Sequence, residues 1–420
     1  NMISFFTREN TKANKYLTFF ILLLLLPHFE PTYFDACFRK LDIFYNIARV
    51  SSGLVVFLYV LKKGKISVFF LSFALLEGWM FAITVLQKGI VKGFLINIVS
   101  LLVLGAIVEC FSGPMIKHLI HALLILLEIL IYANFFTIIL FRNGLYKSEW
   151  QSQNWLLGYR NGFIIYILFA LFLSLIWRTF TGNSLRFNVL FAVCVLTLIL
   201  GRSVTGLFAL CTLIFLYSIK IYKAPWFHSY FITGTWLASN FLLVIFRFQN
   251  IFAPLLALFG KNVTLTGRTY IWDTTLQMIM KSPLIGYGKR SAEYRAGLVS
   301  RAYAAVDAHN FVLEVIFVGG LIALFLISVF FVMLLKRLYF FRYHPYTKIV
   351  LLIMSCFFVL MLTESIFTSP LLYTFLFVSW RIKDMVNELP PSTEAAKKIC
   401  FQRGKSGSRQ VNYADKKICF

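Results

Sequence analysis

Acidic residues are scarce in this chain. Asp and Glu number 17 against 41 Lys and Arg, and charged residues of either sign fill only 14% of the 420 positions. A soluble globular protein carries about a quarter charged residues, so a large solvated surface is excluded. Clustered cysteines are missing as well. Cys37, Cys110, Cys194, Cys211, Cys356, Cys400 and Cys419 stand singly, with no C-x-x-C among them, which points to neither a disulfide framework nor a zinc site. The short alternating segments of a membrane barrel are also lacking. No small-residue cleavage site follows the first apolar run at 16–27, so that run is expected to remain as a transmembrane helix rather than be removed as a signal peptide. No repeat relates one half of the chain to the other, as the halves of many transporters would.

What the chain has in abundance is apolar sequence. Sixty per cent of the residues are hydrophobic, Phe alone contributes 47, and the mean hydropathy is +0.79. Apolar runs approach the roughly 20 residues that a helix needs to cross the hydrocarbon. The sequence predicts an all-α, polytopic transmembrane bundle of about twelve spans, at 16–29, 43–61, 66–86, 90–110, 118–141, 163–177, 187–200, 206–219, 226–246, 309–335, 349–362 and 366–380. A net charge of +24 would suit a nucleic-acid partner. In a membrane protein it is better read as the excess of Lys and Arg in cytoplasmic loops. Lys62, Lys63 and Lys65, then Lys117, Arg178 with Arg186, Lys220 with Lys223, Lys336 with Arg337, and Arg381 with Lys383 mark alternate loops. Both termini are thereby placed in the cytoplasm, and no nucleic-acid partner is expected.

This divides the chain into spans at 1–246, a long external loop at 247–308, further spans at 309–383, and a polar tail at 384–420 that is expected to be disordered. The tail contains a near-repeat, AKKICF at 396–401 against DKKICF at 415–420. In the preceding outer loop, Trp150 and Trp155 suit the headgroup level. Arg49, Glu77, Glu109, Glu128 and Glu364 read as membrane-embedded ionisable groups, either a proton relay or structural pairs.

The external loop is the polar exception in an apolar chain. It holds Arg247, Lys261, Arg268, Lys281, Lys289, Arg290, Arg295 and Arg301 against few acids. A solvated face is the plain explanation. The alternative is a cradle for a dianion such as a lipid diphosphate, because the planar guanidinium fork binds two phosphate oxygens at once. Residues 270–280 can form a short amphipathic helix with Trp272, Leu276, Ile279 and Met280 on one face, lying flat on the membrane. Ser282-Pro283 would end it, and Gly286-Tyr287-Gly288 would make a turn. Arg202, in Leu200-Gly201-Arg202-Ser203, interrupts two apolar runs and reads as an anion-binding group rather than an interfacial residue. His309 opens the next span beside Asn310, with Glu314 one turn on. Its imidazole is suited to take a proton from a hydroxyl, with Asn310 or Glu314 to orient it.

The order Gly201-Arg202-Ser203, Thr266-Gly267-Arg268-x-x-x-Trp272, Ser282-Pro283-Leu284-Ile285-Gly286-Tyr287-Gly288, Ala308-His309-Asn310-x-x-Leu313-Glu314 and Gly319-Gly320 resembles the O-antigen ligase and polymerase superfamily of Wzy-type polymerases and WaaL-type ligases. The resemblance is specific over about 202–335; before that it rests on hydrophobic layout. It implies a bacterial inner-membrane glycosyltransferase that needs no metal or cofactor, takes undecaprenyl-diphosphate-linked oligosaccharides as donor and acceptor, and has a chain-length regulator as a candidate partner beside the membrane lipids. It implies catalytic roles for Arg202, Arg268 and His309, around which Arg290, Tyr287, Asn310, Glu314 and Arg295 are expected to bind substrate. The compact H-N-x-x-L-E-x-x-x-x-G-G spacing is closer to the polymerases. A ligase is the near alternative, and a lipid-linked oligosaccharide flippase is the alternative of a different class.

Overall fold

The computed structural model describes residues 11–63, 66–148, 151, 153–248, 267–298 and 307–390. Lys65, Trp150, Lys261, Arg301, most of the polar tail and its near-repeat lie outside these residues.

Every predicted apolar run lies on a helix. In chain order the helices are α1 (Thr11–Leu25), α2 (Thr32–Cys37), α3 (Arg39–Lys63), α4 (Val68–Leu86), α5 (Val91–Cys110), α6 (Ile116–Leu140), α7 (Phe163–Thr181), α8 (Leu185–Leu200), α9 (Val204–Ser218), α10 (Ser229–Val244), α11 (Arg268–Lys281), α12 (Ala292–Leu298), α13 (Phe311–Phe340), α14 (Pro345–Met361), α15 (Pro370–Trp380) and α16 (Ile382–Glu388). Six of them, α3 to α7 and α13, are long and apolar enough to cross a membrane. The other six that carry predicted spans have 11 to 17 residues. At 1.5 Å per residue these reach about 16–26 Å, short of a hydrocarbon core of about 30 Å. The chain is an integral membrane protein of helical type, in which about half the predicted spans are long enough to cross unaided.

α15 stands at the centre. Every residue from Leu371 to Ser379 is buried, so this helix is enclosed on all sides. It packs on α5, α7 and α13. α3 lies at the edge, with Ile43, Phe44, Ile47, Val50, Leu54 and Phe57 exposed, as expected of a helix facing lipid.

α13 is broken near its first third. Gly320 takes φ +68°, ψ −168°, a conformation that glycine adopts without steric cost. The break frees backbone groups that hydrocarbon could not satisfy. The segment after α11 supplies the partners. Tyr287 N and Gly288 N donate to Phe317 O and Val318 O at 2.8 and 2.9 Å, while Leu321 N and Ile322 N donate to Pro283 O and Leu284 O at 2.8 and 3.3 Å. Trp79 of α4 donates to Gly319 O at 2.8 Å. A Cβ on Gly320 would collide with Leu284 O, and one on Gly286 would sit 2.6 Å from Phe317 O. The two glycine motifs are therefore the two sides of one backbone crossing. It is fixed further by Lys289, whose N donates to Thr84 Oγ1 at 3.0 Å and whose O accepts from Ile90 N at 2.9 Å.

α11 does form, but its buried face is Ile271, Trp272 and Thr275, and Met280 points out at 72% exposure. Trp272 is fully buried against Val244, Ala308 and Leu313. This helix lays its apolar face on the protein's own bundle, because the starts of α13 and of the loop leave a groove that one indole fills. Trp155 is likewise covered by the protein: it is buried, packs on Phe163 and donates from Nε1 to Phe141 O at 2.8 Å.

Candidate active site

Glu364 lies in the turn between α14 and α15. Pro370 takes the first position of α15, which pre-sets the helical φ and fixes the helix start. That start leaves Glu364 outside the helix, although the sequence reading placed it among the membrane-embedded acids. Three groups from distant parts of the chain converge on it. Arg268 Nη2 donates to Oε1 at 2.7 Å. His309 Nδ1 faces Oε2 at 3.5 Å. Asn161 Nδ2 donates to Oε1 at 3.3 Å.

Each partner is held by its own local structure. Arg268 is the first residue of α11, next to Gly267 at φ +87°. A cation at a helix N-terminus opposes the helix dipole, and the same position favours an anion. Arg247 secures that end of α11 by donating to Thr269 O at 3.4 Å and pairing with the Asp273 carboxylate. His309 takes φ +45°, uncommon for a residue with a side chain, and its N donates to Asp307 Oδ1 at 2.8 Å. Asn310 caps α13: its Oδ1 accepts from Leu313 N at 3.1 Å, and its Nδ2 donates to Asn240 Oδ1 at 2.9 Å and to Leu362 O at 3.2 Å. α13 thus starts at Phe311, and His309 stands just before it rather than inside a span.

The electrostatics are reciprocal. Burial pulls the His309 imidazole down, but Glu364 and Asp307 outweigh it and the net movement is upward. Burial pushes the Glu364 carboxyl up, but His309 and Arg268 outweigh it and hold the group below the usual carboxylate range. Because Nδ1 faces both carboxylates, it is the nitrogen suited to carry the proton of the neutral ring. Nε2 is then left with its lone pair.

The other predicted site residues are placed as follows. Glu314 does not face His309. It pairs with Arg295, accepts from Ala308 N at 2.9 Å, and has Lys289 Nζ at 3.5 Å. Arg295 is buried, with its guanidinium 3.8 Å above the Phe317 ring. Tyr287 stacks on Phe317 with ring centroids 5.2 Å apart and donates from its hydroxyl to Met278 O at 3.0 Å. Arg290 lies over Tyr294 at 4.7 Å. Arg202 is exposed at φ +53° in the turn between α8 and α9, and no contact among the described residues joins it to Arg268 or His309. Its turn is nevertheless at the same end of the bundle. A Cβ at Gly201 would lie 3.2 Å from the Phe163 ring, two residues from Asn161. Ser203 then caps α9, its Oγ accepting from Gly206 N at 3.2 Å.

Four of the loop cations thus have acids: Arg247 pairs with Asp273, Arg295 and Lys289 face Glu314, and Arg268 pairs with Glu364. The other acids read as embedded also pair, Glu109 with Arg381 and Glu128 with Arg186, and Arg49 pairs with Glu30. Glu77 is buried, and among the described residues neither oxygen has a hydrogen-bond partner. Glu364, Asp307 and Asn161 were missed as site residues. The usable signal for Glu364 was Pro370, which forbids the helix from reaching back to include it.

In comparisons with known proteins, a family model described as O-antigen ligase matches residues 152–328. A search of curated proteins finds no match.

Proposed function

We propose, from the match of residues 152–328 to the O-antigen ligase family model, that this chain is a member of the O-antigen ligase/polymerase superfamily and a membrane glycosyltransferase polymerising lipid-diphosphate-linked oligosaccharide repeats into a surface polysaccharide. The lipid is undecaprenyl, the membrane is the bacterial cytoplasmic membrane with both termini inside, and the Glu364 end of the bundle faces out. The observation that carries this reading is the meeting of Arg268 and His309, 41 positions apart in sequence, on one carboxylate.

In the reaction, the donor's anomeric carbon is attacked by a hydroxyl oxygen of the acceptor glycan. The bond from that carbon to the diphosphate oxygen breaks, and its electron pair leaves with the diphosphate. Arg268 and Arg202 bind the departing charge, and the N-terminus of α11 favours it. His309 Nε2 takes the hydroxyl proton, while Glu364 and Asp307 hold Nδ1 and stabilise the imidazolium that forms. Glu364 occupies the Arg268 fork until a phosphate oxygen displaces it.

A second reading, transfer of finished glycan to a different acceptor, is favoured by the description of the matching family model. Purified protein given synthetic undecaprenyl-diphosphate repeats separates the two. A ladder of lengthened glycan on the same lipid is expected. Transfer only to a different acceptor, such as lipid A core, would establish the ligase and end the polymerase reading.

A further inference from the structure

A cavity lies at the far end of the bundle from Glu364. It is an open pocket of about 450 Å³, lined by α1, α6 and α7 through Lys15, Phe19, Lys117, His118, His121 and Trp177 among others. α6 runs from Ile116 to Leu140, and the chain after it returns through Asn161 to the Glu364 site. Lys117 therefore stands roughly 35 Å from that end, the length of the helix at 1.5 Å per residue.

The cavity has a basic rim and an apolar wall. Lys15 and Lys117 are exposed on the rim, and Lys117 Nζ lies 5.1 Å from the Phe180 ring centroid. His118 Nδ1 is 2.9 Å from Thr18 Oγ1. His121 stacks on Trp177 with centroids 4.4 Å apart and planes at 13°. Phe19, Leu22 and Ile125 complete the wall. Among the described residues no carboxylate lines it. The neighbouring Glu128 has both oxygens taken by Arg186, at 2.7 and 2.6 Å. Two cations above an apolar wall, with no acid among the described residues to neutralise them, complement a ligand with an anionic head and a hydrocarbon tail. Basic pockets between transmembrane helices hold anionic lipid headgroups for this reason.

We infer that this cavity is a binding site for an anionic phospholipid of the leaflet opposite the Glu364 site, with its phosphate between Lys15 and Lys117 and an acyl chain along Phe19 and Trp177. The site is separate from the glycosyl-transfer chemistry and stands or falls independently of it.

The test is lipid retention by the full chain, read by native mass spectrometry after exchange into equal amounts of phosphatidylglycerol and phosphatidylcholine. At least fivefold preference for phosphatidylglycerol is expected. The double variant Lys15→Gln/Lys117→Gln should lose that preference, and Lys15→Arg/Lys117→Arg should keep it. The control Lys223→Gln/Lys336→Gln removes two exposed lysines elsewhere and should leave it unchanged. Equal loss in the control would show general surface charge and overturn the site, as would an unaltered preference in the first variant. Inorganic phosphate at ten millimolar order should not displace the lipid; displacement would make the ligand a soluble phosphate. Deleting residues 1–10 should change nothing, whereas a manyfold gain in retention would identify that segment as the occupant and end the lipid proposal.

Discussion

Two carboxylates hold the segment between α10 and α13 to the bundle, and they are built alike. Each is a glutamate from the bundle side that receives one loop arginine and faces a second basic group: Glu314 with Arg295 and Lys289, Glu364 with Arg268 and His309. They differ in access. In the first cluster the arginine and glutamate side chains are 6% and 3% exposed, with only Lys289 reaching the surface, at 28%. In the second, Arg268, Glu364 and His309 are 14%, 17% and 28% exposed. A sealed pair can only fasten, because no substrate reaches it. A pair open to solvent can exchange its partner for an incoming anion. Exposure, rather than charge count, separates the clasp from the site.

The sharpest way to break this comparison is to remove the open pair's working groups. His309→Ala and Arg268→Ala should each lower transfer by about 10²–10⁴-fold, the range that a general base or a charge-stabilising donor contributes. Measured on purified lipid-linked repeats, they should do so while folding and inserting normally. Normal polymer length with His309→Ala would remove it from catalysis. The sealed pair should behave oppositely. Glu314→Ala leaves Arg295 as an uncompensated buried charge and should destabilise the protein by about 3–5 kcal/mol, read as thermal unfolding in detergent. Replacing both partners, as in Glu314→Leu/Arg295→Met, should recover most of that loss. If Glu314→Ala abolished activity at full stability, the division into clasp and site would fail.

Glu364→Gln sharpens the comparison through pH. His309 must be neutral to act as a base, and its pKa is raised, so activity should climb with pH above the ordinary imidazole range. Removing the Glu364 charge lowers that pKa. The rising limb should move to lower pH while the maximal rate falls. In stability the signs run the other way for the two groups. The contribution of the lowered Glu364 carboxyl is lost as pH falls through its folded value. That of the raised His309 is lost as pH rises through its own. The pair is intact between the two. The smallest effect is expected for Arg268→Lys, about tenfold in rate, since a point charge keeps the attraction but not the two-pronged geometry.

How much of this was legible beforehand follows from what kind of signal each part leaves. Apolar runs mark helices because burial in lipid needs them, and helices lie at each predicted run. Their lengths were less legible, since Pro345, Pro370 and Gly320 cut elements at points hydropathy does not register. Arg268 and His309 were readable as polar residues in an apolar chain. Glu364 was visible only as one acid among several, because its partners are supplied by folding from 96 and 55 positions away. Trp272 was read as an amphipathic face, correctly as a pattern, but no pattern says whether lipid or protein will cover it. Arg295 looked like part of a cradle for the same reason: its carboxylate belongs to a different helix.

The crossing of residues 283–288 with the Gly320 break sets a limit on how such proteins can be recombined. Four amide-to-carbonyl bonds stitch the loop to a helix that cannot satisfy itself. A chimera that imports only a foreign loop would strand those groups inside the bundle. Donor loops must travel together with the helix they rivet, so the unit of exchange between relatives is the loop plus the first dozen or so residues of α13.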